Sequence, residues 1–165
     1  MQPRIDARRS APAAFQAISA LEAYVRRTWH AEPILLGLLK MRASQLNGCA
    51  YCLDMHSKDA RAHGETEQRL YALSAWRETP FFTDRERAAL AWAEAVTLVA
   101  GGVPDTVYEE ARRHFTEREL IDLTWAVVAI NGWNRLNVAF RTMPGVYKPH
   151  LRPQLEAQLT AALSP

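Results

Sequence analysis

Outside its turns, the chain is a near-unbroken succession of apolar residues spaced three and four apart, and no stretch alternates apolar and polar residues long enough to make a convincing strand. That periodicity admits helices packed on helices and little else, so an all-α fold is expected. A first helix is predicted from near Pro12 to Arg27, with Phe15, Ile18, Leu21 and Val25 on one face and Glu22 only partly turned away from it. A second opens at Pro33, a residue suited to a first helical turn, and is apolar nearly all round through Ile34, Leu35, Leu36, Leu38, Leu39 and Met41, which predicts burial. Asn47-Gly48 interrupts the pattern, and a third helix is expected with Asn47 as its cap, running through Cys49 to Ala62 and stopping at Gly64. Further helices fit Glu65 to Trp76, Asp84 to Ala100, Asp105 to His114 and Glu117 to about Arg141. Thr83 with Glu86, and Thr116 with Glu119, have the spacing of reciprocal capping boxes. Pro153 to Leu163 reads as a short closing helix that packs on the domain or on a neighbouring chain. Leu46-Asn47-Gly48-Cys49 is echoed in type by Ile130-Asn131-Gly132-Trp133, a match short enough to be coincidence.

At 165 residues the sequence suits one domain spanning 1–165. A chain of that length buries about two-thirds of its extended surface and needs neither disulfide staples nor a structural metal. No run reaches the ~18 apolar residues that cross a bilayer, and the charged start around Arg4, Asp6, Arg8 and Arg9 lacks a signal peptide's apolar stretch. A cytoplasmic location with reduced thiols is therefore expected, away from membranes. The net charge of +2 comes from 20 basic and 18 acidic residues that are interspersed, so the electrostatic footprint of a nucleic-acid binder is missing.

The chemistry concentrates in Cys49-Ala50-Tyr51-Cys52-Leu53-Asp54-Met55-His56, which contains both cysteines. Positions 49, 52 and 56 stand at i, i+3 and i+7 and share one helical stripe. Two thiols so placed at a helix start can close into a disulfide, and the positive end of the helix dipole favours thiolate. His56, one turn beyond Cys52, is in reach of proton exchange with it, directly or through a water. A thiolate here can attack a peroxide, become a sulfenic acid and condense with the second thiol. Turnover then needs an external dithiol, because no other cysteine can reduce the bridge. Taken singly, a cysteine is more often a small core residue and a histidine a structural one; the combination favours redox chemistry. Zinc is disfavoured because the three residues span ~10 Å along one helix and cannot converge on an ion, and Leu53 after Cys52 disfavours haem attachment. No metal or cofactor is expected.

At these residues the chain resembles the alkylhydroperoxidase D-like branch of the carboxymuconolactone decarboxylase superfamily, whose signature is Cys-x-x-Cys-x-x-x-His. Similarity extends to Leu39 through Gly48, Phe82 through Val96 and Ile130 through Ala139, most of the chain. The resemblance implies an all-helical homo-oligomer, commonly a trimer or hexamer, that reduces hydroperoxides. It also implies that Cys52 is the cysteine that becomes sulfenic acid, Cys49 the proton donor and resolving thiol, and His56 part of a proton relay. The family relay usually includes a glutamate twelve residues before the first cysteine, where this chain has Gly37, and some members have a histidine where it has Tyr51. Glu94, in an otherwise apolar stretch, is a candidate to approach His56 and supply the missing base. The opposing expectation pairs Glu94 with an arginine such as Arg42 or Arg135, and Tyr51 is read as packing. Two other readings stay open: a redox switch or interaction protein with no peroxidase activity, and an altered decarboxylase-like enzyme, which would not need the cysteine pair.

Overall fold

A computed structural model describes residues 2–149, and no strand forms among them. The elements are α1 (Ala7–Ser10), α2 (Pro12–Thr28), α3 (Pro33–Leu46), α4 (Ala50–Ala62), α5 (Glu67–Ala72), α6 (Asp84–Thr97), α7 (Asp105–His114) and α8 (Glu117–Phe140), with short 3₁₀ turns at Leu73–Glu78 and Val99–Gly101. The closing helix expected at 153–163 lies outside the described residues. No helix among the described residues is long and apolar enough to cross a membrane.

Both capping boxes form, at Thr83 with Glu86 and at Thr116 with Glu119, so α6 and α8 begin where their side chains satisfy the first orphan amides. Pro33 opens α3, and the absence of a polar face puts this helix in the centre. Leu35, Leu36, Leu39 and Ala43 of α3 pack into one core with Val25, Trp92, Leu123, Val127 and Ile130. Leu38 and Met41 pack into a second core with Leu70, Leu73, Trp76, Phe82 and Leu90. The helix predicted from Glu65 to Trp76 is shorter as an α-helix: Thr66 caps it, and it tightens to 3₁₀ from Leu73.

The corner between α3 and α4 departs from expectation in a way that matters. Gly48, at φ +64°, occupies the left-handed position after α3, its N–H donates to Gln45 O at 3.3 Å, and Cys49 N–H donates to Ser44 O at 3.0 Å. These two bonds are a Schellman ending, so Asn47 closes α3 and Cys49 caps α4. Asn47 instead donates through Nδ2 to Asn131 Oδ1 and Asn134 Oδ1, both at 2.9 Å. The echoed Asn-Gly pairs therefore meet in space, although α8 runs through Gly132 without a break.

Candidate active site

Cys49 has extended backbone, φ −86° and ψ 93°, and its Sγ accepts from the Cys52 amide at 3.4 Å as the α4 cap. Both cysteines are 1% exposed and are joined as a disulfide, with Cα atoms 5.4 Å apart. The sequence leads to an expectation of reduced thiols; the structure shows the pair bridged, because the two positions stand close enough at the start of α4 for the sulfurs to bond. Only Cys52 of the pair lines the adjacent cavity of about 500 Å³.

Three helices wall that cavity. Phe15, Glu22 and Arg26 come from α2; Tyr51, Met55 and His56 from α4; Trp133, Leu136, Asn137 and Phe140 from α8. Phe15 and Trp133 meet edge to face with centroids 5.2 Å apart. The segment before α2 closes the remaining side, anchored by Arg4, whose N–H donates to Phe140 O at 3.0 Å and whose guanidinium donates to Ala139 O at 3.1 Å. The end of α8 is the source of those free carbonyls, so the strap and the helix satisfy each other.

The electrostatics of the polar wall follow from one buried ion cluster. Lys40, 3% exposed, donates to Glu22 Oε1 at 2.5 Å, and Arg26 donates to the same oxygen at 2.7 Å. Burial works to raise the Glu22 carboxyl, but Lys40 and Arg26 outweigh it and hold the group below the ordinary carboxylate range. His56, 5% exposed, is pushed down to about 3, first by burial and then by the Lys40 charge, against the opposing pull of Glu22. Its ring is therefore neutral in this bridged form.

The structure brings Cys49, Cys52 and His56 together and takes Glu94 elsewhere. Glu94 Oε1 accepts from Arg42 Nε at 2.6 Å and Trp76 Nε1 at 2.9 Å, and Oε2 accepts from Arg77 at 2.5 Å. Burial would raise this carboxyl, and the three donors more than offset it, leaving it lowered. The expected approach to His56 does not occur, because a carboxylate saturated by two arginines and an indole has no reason to turn toward an imidazole; the arginine pairing, with Arg42, is what forms. The acid beside His56 is Glu22, which the helical pattern placed only partly off the apolar stripe of α2. A side chain at Gly37 would meet Ala60 Cβ at 3.7 Å, in the α3–α4 contact. Asn137 is a further residue that spacing did not single out: its Nδ2 donates to Cys52 Sγ at 3.4 Å, across 85 residues of sequence.

Residues 12–95 match the carboxymuconolactone decarboxylase family. The uncharacterized protein YdfG of Bacillus subtilis (strain 168) is 48% identical over 103 residues, 62% of this chain and 70% of YdfG. The uncharacterized protein YnjA of Escherichia coli (strain K12) is 30% identical over 111 residues, 67% of this chain and 59% of YnjA. Among solved structures, a protein of unknown function from Agrobacterium tumefaciens, named for AhpD-type antioxidant defence, superposes with a TM-score of 0.84 at 44% identity, over 88% of this chain and 100% of that one. The chain thus belongs to the carboxymuconolactone decarboxylase family, in its alkylhydroperoxidase D-like branch.

Proposed function

We propose that the protein is a thiol-dependent hydroperoxide reductase. The observation that carries this reading is that Cys52, bridged to Cys49, is the sulfur that faces a 500 Å³ cavity shared with His56. In the reduced protein the Cys52 thiolate attacks the distal oxygen of a hydroperoxide. The S–O bond forms, the O–O bond breaks, and the alkoxide leaves and takes a proton to become an alcohol. Cys49 then attacks the Cys52 sulfur of the sulfenic acid; the S–S bond forms, the S–O bond breaks, and the oxygen leaves as water. An external dithiol, the second substrate, takes the two oxidising equivalents by thiol–disulfide exchange.

His56 moves the protons, and Glu22 is the positioning residue behind it, since its negative charge favours the imidazolium formed in transit. Glu22 thereby fills the part sought for Glu94. The aromatic and thioether walls of the cavity suit an organic hydroperoxide better than hydrogen peroxide. The exposed apolar stripe on α8 at Ile121, Trp125 and Val128 supports a homo-oligomer, built from further copies of this chain.

Reduced protein mixed with cumene hydroperoxide should lose two thiols per chain as one peroxide is consumed, and Cys52→Ser should abolish both. Glu22→Gln should slow turnover about tenfold, the worth of one charged interaction, while Glu94→Gln leaves the rate within about twofold. Peroxide consumption that survives Cys52→Ser defeats the proposal.

A further inference from the structure

The two sulfurs of the bridge are held by different donors. The Cys52 amide, the first-turn group that a helix start offers to an anion, is spent on Cys49 Sγ. Cys52 Sγ has no such backbone donor among the described residues, and no cation of the site bonds it: Arg26 and Lys40 both bond Glu22, and Arg8 of the cavity wall does not donate to the sulfur. The polar group that does reach it is the Asn137 carboxamide, at 3.4 Å. A disulfide sulfur carries no hydrogen, so the contact is a bond donated by the amide NH₂.

We propose that Asn137 is the donor that holds the Cys52 sulfur in its ionised, nucleophilic form and keeps it turned into the cavity. Its position is fixed from two sides. The Asn137 carbonyl accepts from Thr142 N at 3.0 Å where α8 ends. One and two turns earlier, Asn134 and Asn131 are clamped by Asn47, and Asn134 also donates to Ser44 Oγ at 3.0 Å. The ladder ties α8 to the very corner that carries Cys49, so the donor and the sulfur cannot drift apart independently. An amide that donates to the sulfur serves the thiolate, the sulfenate and the bridge alike, because each offers a lone pair and none needs a proton from it.

The chemistry of the role rests on the peroxidase reading, but its test needs no turnover. In a Cys49→Ser background Cys52 is the one thiol in the chain. Thiolate absorbance at 240 nm is followed against pH, with the rate of alkylation by iodoacetamide as a second readout. The other ionisable groups facing this site are His56 and Tyr51 on α4, Glu22 and Arg26 on α2, Lys40 on α3, and Asp6 and Arg8 on the strap. All of these are present in every variant, so they cancel. Asn137→Leu should raise the apparent thiol pKa by about one unit, tenfold less thiolate at any pH below it, and the isosteric Asn137→Asp should raise it further by placing like charge on the sulfur. In Asn137→Leu a merely structural asparagine would shift the melting temperature and leave both readouts alone, whereas the new charge of Asn137→Asp reports only that position 137 faces the sulfur. An unchanged pKa in Asn137→Asp overturns the proposal, whether or not the leucine variant folds. Cumene hydroperoxide consumption in the two-cysteine chain separates the two ideas. An unmoved pKa with retained turnover in the unaltered chain removes only the Asn137 role; a moved pKa in a chain that consumes no peroxide keeps the donor and removes the peroxidase.

Discussion

A histidine in water takes up a proton near pH 6.5, whereas His56 in the folded protein holds out to about 3, because burial strips the imidazolium of solvent and Lys40 repels it. Between those two values the unfolded chain binds a proton that the folded chain refuses, so stability falls as pH falls through that window. At pH 5 the expected loss is about 2 kcal/mol relative to pH 7.5. Urea unfolding of the wild type and of His56→Gln at the two pH values measures it: the wild type should lose that increment over and above the variant. Glu22 does not mask the effect, since its carboxyl, held below the ordinary range by Lys40 and Arg26, gives up its contribution only at lower pH. Equal losses in both proteins would mean that His56 is not held neutral by the fold. The grouping of Cys49, Cys52 and His56 was legible in the sequence because Cys49 caps the helix that carries the other two and helical spacing is read locally. Glu22 and Asn137 were not, since they reach the site from α2 and α8 and no local period links them to the cysteines. For Glu94 the buried surroundings were legible but the partner was left open, because choosing among the arginines and His56 depends on how α3 and the 3₁₀ turn pack on α6.

Several helices among the described residues begin or end for a reason that can be read at their end residues, and two glycines show how those reasons differ. Gly48 is required for its backbone: at φ +64° a Cβ meets its own chain, and Gly48→Ala should cost about 1–2 kcal/mol. Gly37 sits inside α3 with ordinary helical backbone, and a Cβ there would find Ala60 Cβ at a comfortable 3.7 Å. Gly37→Ala should therefore stabilise by about 0.5–1 kcal/mol through helix propensity. Chemical denaturation of the two variants should give opposite signs, and a destabilising Gly37→Ala would show that α3 and α4 touch more closely than the 3.7 Å contact implies. The same logic explains which boundaries the sequence revealed. Capping boxes and Pro33 are local signals and mark their helices within a residue. Asn47 was assigned the α4 cap because asparagine favours that position, yet the residue after a Schellman glycine is the one with extended backbone, and that residue is Cys49. The displacement by two residues is what puts a sulfur, rather than an amide, at the head of α4.

At the scale of the whole molecule, α8 carries apolar residues on two faces, and the two faces have different surroundings. Leu120, Leu123, Val127 and Ile130 are buried in the core of the chain. Ile121, Trp125 and Val128, on the opposite stripe, remain 57%, 46% and 42% exposed, and Leu98 and Val99 after α6 are 60% and 58% exposed. A tryptophan between two β-branched residues on a helix face open to water is a poor solvent surface, and the proposed self-complementary contact between copies would remove it; stable interfaces of this kind bury ~800 Å² per partner. The all-α architecture was legible because periodicity reports which residues avoid water; the division of α8 into an inner and an outer face was not, because periodicity does not report what covers them. The consequence is testable without reference to chemistry. Trp125→Glu places a charge at the centre of the outer stripe, at a residue that belongs to neither buried core, so the variant should melt as a folded chain with native helicity while its mass by light scattering falls to the 18.6 kDa of one subunit. The wild type should weigh a whole multiple of that. A wild-type mass of one subunit, or a Trp125→Glu assembly that stays intact, would assign the stripe to some other role than self-association.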